Sequence, residues 1–106
     1  MKTDIFRKMA LSLPDTEEKS HFSKPDFRVR NKIFAGFSGE GRGYVKLATE
    51  QQDFLVAAEP DCIEAHKGHW GKMGWTWINI EKADEAMIKN VLHMAWRNVA
   101  PKSLKQ

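Results

Sequence analysis

Between Ser20 and Phe37 the chain reads SHFSKPDFRVRNKIFAGF, and apolar and basic residues alternate there at a period of two. Side chains of a strand point to opposite faces in turn, so Phe27 and Val29 face one way and Arg28 and Arg30 the other. Ile33, Ala35 and Phe37 resume an apolar stripe after a break at Asn31 and Lys32. A strand with one oily and one cationic face is half buried and half presented to solvent or to something negative. That pattern restricts the chain to folds with a sheet covered on one side.

The 106 residues suit a single domain, 1–106. Apolar residues at 42% and charged residues at 29% fit a globular chain and exclude a disordered one. The net charge of +3 is mild, so local clustering of cations decides more than the sum. Cys62 is the one cysteine, which excludes an intrachain disulfide and fits a reducing compartment. The start, MKTDIFRKMALSLPD, has spaced apolar residues and reads as an amphipathic helix, not a signal peptide. No apolar run approaches the roughly 20 residues that span a bilayer. A cytoplasmic, membrane-free protein is expected.

Along the chain, Thr3–Leu13 predicts a helix with Ile5, Phe6, Met9, Ala10 and Leu13 on one stripe, Thr3 as its cap and Pro14 as its stop. Glu17–Phe22 predicts a polar edge strand, with Pro25 breaking the pairing after it. Asp26–Val29 and Lys32–Phe37 predict a hairpin about Arg30 and Asn31. The glycine-rich run from Ser38 to Gly43 leads into a strand from Tyr44 to Ala48, with Val45 and Leu47 inward and Tyr44 and Lys46 outward. It lacks the Gly-Lys-Ser/Thr ending of a phosphate loop and reads as a hairpin connection.

Thr49 and Gln52 fit a capping box that opens a second helix, ending at Ala58 and burying Phe54, Leu55 and Ala58. Asp61–Ala65 predicts a short strand, and His66–Gly74 a mobile loop. Trp75–Ile80 predicts the last strand, with Ile78 and Ile80 on one face and Trp75, Trp77 and Asn79 on the other. Asp84 opens a closing helix to Val99 with Ile88, Val91, Leu92, Ala95 and Val99 buried, and Lys102–Leu104 adds a last turn. Short connections between strands require antiparallel pairing. The fold class is therefore α+β: a two-layer sandwich with helices on one face of an antiparallel sheet.

ALSLPDTEE after the first helix, HFSKPDFRVRNKIFA, the Gly74-Trp75 pair and the terminal WRNVAPKSL occur in an order that resembles the MmcQ/YjbR-like family over nearly the whole chain. The resemblance implies the element order α-β(3)-α-β(2)-α and a likeness to secretion chaperones. It carries no catalytic motif to transfer. Members are labelled DNA-binding on a suggested double-wing arrangement, so it implies a binding domain.

The chemistry-bearing residues fall into three groups. Lys24, Arg28, Arg30, Lys32, Arg42 and Lys46 form a basic set, of which Arg28, Arg30, Lys32, Arg42 and Lys46 are the candidate nucleic-acid contacts. Guanidinium groups grip phosphates bidentately, and Arg42 sits at a wing tip. The structural alternative is a solvated face whose cations pair with Glu17, Glu18 and Asp26. Tyr44, Trp75 and Trp77 form a candidate aromatic contact surface that offers stacking to bases. With Trp70 and Trp96, these indoles alternatively serve plain packing. Cys62, Glu64, His66 and His69 include zinc-ligand types, but the paired spacing of a structural zinc site is missing.

The expectation is a non-catalytic binding domain with no cofactor and no metal. DNA is the leading partner, through the basic face. A protein bound through the open sheet face is the alternative, and a small-molecule-binding protein the third. A monomer or weak homodimer is expected.

Overall fold

Arg30 and Asn31 both take positive φ, at 50° and 71°, which is the signature of a two-residue type I′ turn. That turn joins β2 (Lys24–Val29) to β3 (Lys32–Gly39) and sets their register. The computed structural model describes residues 2–21, 24–39 and 41–101. Phe22, Glu40 and the expected last turn at 102–104 lie outside the described residues. The element order is α1 (Lys2–Leu11), β1 (Thr16–His21), β2, β3, β4 (Arg42–Lys46), α2 (Thr49–Ala58), β5 (Ile63–Ala65), α3 (His69–Lys72), β6 (Trp75–Asn79) and α4 (Glu85–Val99). Four strands precede α2 where the resemblance implied three, because the polar Thr16–His21 segment is a full partner of β2.

The six strands form one antiparallel sheet in the order β1-β2-β3-β4-β6-β5. α4 lies across β3 and β4, α1 packs beside α4 and reaches β1, and α2 covers β5. The covered face holds the core: Phe27, Val29, Phe34, Ala35, Val45, Leu47, Ile63, Ile78 and Ile80 from the sheet, with Phe6 and Ala10 from α1. Ile88, Val91, Leu92, Ala95 and Trp96 are the buried stripe of α4, as its helical spacing requires. Phe6, Phe27 and Phe37 meet with ring centroids 5.1–6.2 Å apart. Trp96 is buried by this packing and donates its Nε1–H to the Pro14 carbonyl at 2.9 Å, tying α4 to the exit of α1.

Five expectations are corrected. Pro25 does not break pairing: it sits in β2 opposite Ser20, and β3 does not begin to face β2 until Asp26, so no bond to β3 is asked of the missing N–H. The stripe of β3 is shifted by a bulge, which pairs Phe27 with Ala35 but Arg28 with Ile33. Phe34 and Ala35 are therefore both buried, and Ile33 is turned toward the uncovered face. In α2, Phe54 is 69% exposed and Ala58 is also outside. Leu55 and Gln52 face inward instead, and Gln52 Nε2 donates to the Trp75 carbonyl and to Thr76 Oγ1, both at 3.0 Å. The capping interaction sits one residue earlier than expected, with Gln51 Oε1 accepting from the Ala48 N–H at 2.9 Å. Finally, His66–Gly74 is not a plain loop, since it contains α3.

Asp84 caps α4 by accepting from the Met87 N–H at 2.8 Å. Asp84→Ala is expected to lower stability by about 1 kcal/mol. Urea unfolding should show a lower midpoint at unchanged slope.

Candidate functional site

The uncovered face is built by the alternation of β4 and β6. Tyr44 lies opposite Trp77, and Lys46 opposite Trp75, while Val45 and Thr76 point into the core. Asp26, Gly36, Tyr44, Trp77 and Glu64 are successive cross-strand neighbours, so one row crosses five strands. Gly36 is required there: a Cβ at that position would run into the Tyr44 phenol, which lies across it. Tyr44 meets Trp75 and Trp77 edge-on, with centroids at 5.6 and 6.2 Å. That geometry suits the ring quadrupoles.

A groove of about 250 Å³ runs along this face, lined by Ile33, Tyr44, His66, Trp70, Trp75 and Trp77. Its outer wall is α3. Two glycines hold α3 to the sheet by backbone contact. A side chain at Gly71 would strike the His66 carbonyl, and one at Gly74, whose φ is 103°, would strike the Leu47 carbonyl. Leu47 N–H donates to the Gly74 carbonyl at 2.9 Å, and His66 N–H to the Trp75 carbonyl at 3.0 Å. Trp70 is thereby fixed over the groove although it is 55% exposed. His66 stacks on Trp77 with centroids 4.8 Å apart, its Nδ1 against the Lys67 carbonyl at 3.1 Å.

The expected cations separate into two kinds. Arg42 lies over the Trp77 ring at 4.4 Å, and Lys46 over the Trp75 ring at 5.0 Å. Each such contact is worth about 0.5–1 kcal/mol where it is exposed. Arg28 and Arg30 are instead engaged by carboxylates. Arg28 donates Nε and Nη2 to the two oxygens of Asp26 at 2.8 and 3.2 Å, and Asp26 is only 2% exposed. Its hydrogen bond to Asp26 raises the Arg28 pKa further, against an opposing effect of burial, so the guanidinium is charged at every working pH. Arg30 is not a strand residue. It sits in the left-handed turn and donates Nε to Asp15 at 3.0 Å. Lys32 is exposed at the start of β3.

The remaining candidates do not assemble. Among the described residues no group of three or more His, Cys, Asp or Glu gathers as metal ligands would. Cys62 lies in a separate recess of about 100 Å³ with Arg42, Glu64 and Asn79. Burial first, and the nearby Glu59 and Asp61 next, push its thiol pKa up, which disfavours the thiolate a nucleophile needs. Of the other groove residues, Ile33 was masked in the sequence by the bulge, and Trp70 by the brevity of α3. The glycines at 68, 71 and 74 around Trp70 were the available signal for a tight turn.

The YjbR family model matches residues 11–98 of this chain. The crystal structure of Deinococcus radiodurans protein DR2400, described as a DUF419 domain, is similar with a TM-score of 0.78 at 20% identity, over 98% of this chain and 82% of that one. That identity makes the likeness one of fold. No curated protein matches.

Tyr44 is the one tyrosine in the chain. Burial chiefly, and the negative Asp26 next, raise its phenol pKa, with Arg28 opposing. Tyrosinate absorbance of the native protein should therefore rise at a pH above the ordinary value of about 10, and return to it in denaturant. The folded value is the higher one, so its stabilising contribution is complete below the unfolded pKa. That contribution drains away as pH climbs through the folded pKa. Tyr44→Phe is expected to remove this part of the alkaline loss of stability in urea titrations across pH.

Proposed function

The chain belongs to the YjbR family, and from that premise we propose a non-catalytic binding domain that takes nucleic acid, single-stranded DNA foremost, on the open face of its sheet. The observation that carries the reading is the pairing of Tyr44 with Trp77 and of Lys46 with Trp75 across β4 and β6, with Arg42 on the other indole. Aromatic rings on a sheet stack unpaired bases, and flanking cations follow the phosphates. Bases inside a duplex hide their faces, so an aromatic groove favours an open strand.

The cation arrangement makes the reading quantitative. Arg28 and Arg30 are already engaged by Asp26 and Asp15, and Lys32 stands apart at the start of β3, so Arg42 and Lys46, which lie on the indoles themselves, are the pair for the phosphates of a stacked strand. Releasing two counterions from a single strand gives a slope of log affinity against log salt of about −1.4. Four phosphate-gripping cations would double it. Stacking adds about 1–3 kcal/mol per base.

Anisotropy titrations of labelled single-stranded DNA, duplex DNA and RNA at several salt concentrations test this. Single strands are expected to bind best, with the shallow slope, and Trp77→Ala to weaken them by roughly 5- to 150-fold. Preference for duplex, or no response to Trp77→Ala, would overturn the reading. Failure of every nucleic acid alongside capture of an unfolded polypeptide by the same face would turn it toward a chaperone-like module.

A further inference from the structure

We infer that the groove between β6 and α3 is a slot for one nucleotide, holding a single base with its 5′-phosphate at the Lys46 end; the inference rests on the strand-binding reading and names the unit that enters. The groove is small. Pockets for drug-sized ligands measure about 300–1,000 Å³, and this groove holds about 250 Å³. One ring system fills it, and a run of stacked bases does not fit. The open edge lies toward solvent, while Trp70 and the pinned α3 close the other side, so a strand continues outside while one base is inside.

The floor and walls are aromatic: Tyr44, Trp75 and Trp77 from the sheet, Trp70 from α3 and His66 from the turn before it. Planar rings are met there by planar surfaces. An aliphatic ligand would forgo that stacking.

Charge orients the guest. At the Trp77 end, Arg42 shares its surroundings with Glu64, the cross-strand neighbour of Trp77, so positive charge is offset there. At the Trp75 end, Lys46 lies over the indole, and Arg28 stands opposite Ile33, which lines the groove. Arg28 is closed on Asp26 through Nε and Nη2, so at this end the phosphate falls to Lys46. A phosphate is therefore accepted at the Lys46 end and opposed near Glu64.

The test is titration of the intact chain with AMP, UMP, adenosine, uridine and inorganic phosphate, followed by calorimetry and indole emission. Both monophosphates are expected to bind one to one. The nucleosides should bind about tenfold more weakly, the equivalent of one charge-assisted hydrogen bond. Phosphate alone should not saturate. Lys46→Ala should weaken the monophosphates far more than the nucleosides, closing most of the tenfold gap between them; an unchanged gap would overturn the placement of the phosphate. Trp70→Ala should abolish all of them, with circular dichroism verifying the fold. The Tyr44 ionisation gives an independent readout, since an occupied slot dries the phenol and moves its midpoint to still higher pH.

Absence of saturable monophosphate binding overturns the slot, as does equal binding of phosphate alone or indifference to Trp70→Ala in a folded variant. Oligonucleotides that bind where mononucleotides do not would remove the slot and leave the strand-binding reading standing. Mononucleotides that bind where oligonucleotides do not would do the reverse.

Discussion

The register of β4 against β6 is the constraint on which this molecule depends. These strands are separated in sequence by α2, β5 and α3, yet they pair inside the sheet, with neither at an edge. In the observed register Val45 meets Thr76 on the covered face and Tyr44 meets Trp77 on the open one. Moving one strand through the pleat by a single residue would send the indoles of Trp75 and Trp77 into the core and Ile78 into water. Gln52 and Asn98 reinforce the arrangement from outside the sheet. The first holds Thr76 and the Trp75 carbonyl, and the second donates to the Lys46 carbonyl at 3.1 Å and to Gln51 at 2.9 Å. The ends of both strands are thus tied to the helices that cover the other face.

A sheet dressed on one side must settle what its bare side exposes. Here the settlement is local. Arg28 closes on Asp26 within its own strand, Arg42 and Lys46 lie on indoles, and Tyr44 lies over a glycine. Aromatic rings keep water from much of the face, while the cations present their charge at its margins. The face is therefore neither a plain solvated surface nor a fully apolar patch.

Much of this was legible in the sequence. Period-two alternation placed Tyr44 and Lys46 opposite in sense to Val45 and Leu47, and Trp75 and Trp77 opposite to Ile78. The spacing from Ile88 to Ala95 and the cap at Asp84 marked α4. Legibility failed where tertiary pairing overrides local pattern. The bulge at Phe34 reverses the sense of Ile33, and nothing in KIFAGF announces it. Phe54 is a strong apolar residue, yet α2 is rotated so that Gln52 takes the inner position, where its amide donates to the Trp75 carbonyl and to Thr76 Oγ1. Arg30 looked like a continuation of the strand's cationic face. The tight connection to β3 instead required that residue in a left-handed turn, where Asp15 meets it.

The wall formed by α3 is fastened through main-chain atoms, at Gly71 against the His66 carbonyl and Gly74 against that of Leu47. Its position is accordingly indifferent to most of the side chains it displays. Exchanging an outward side chain such as His69 or Lys72 would leave the backbone course of the wall unchanged, whereas any side chain in place of the hydrogen at Gly71 or Gly74 would push the whole wall off the sheet.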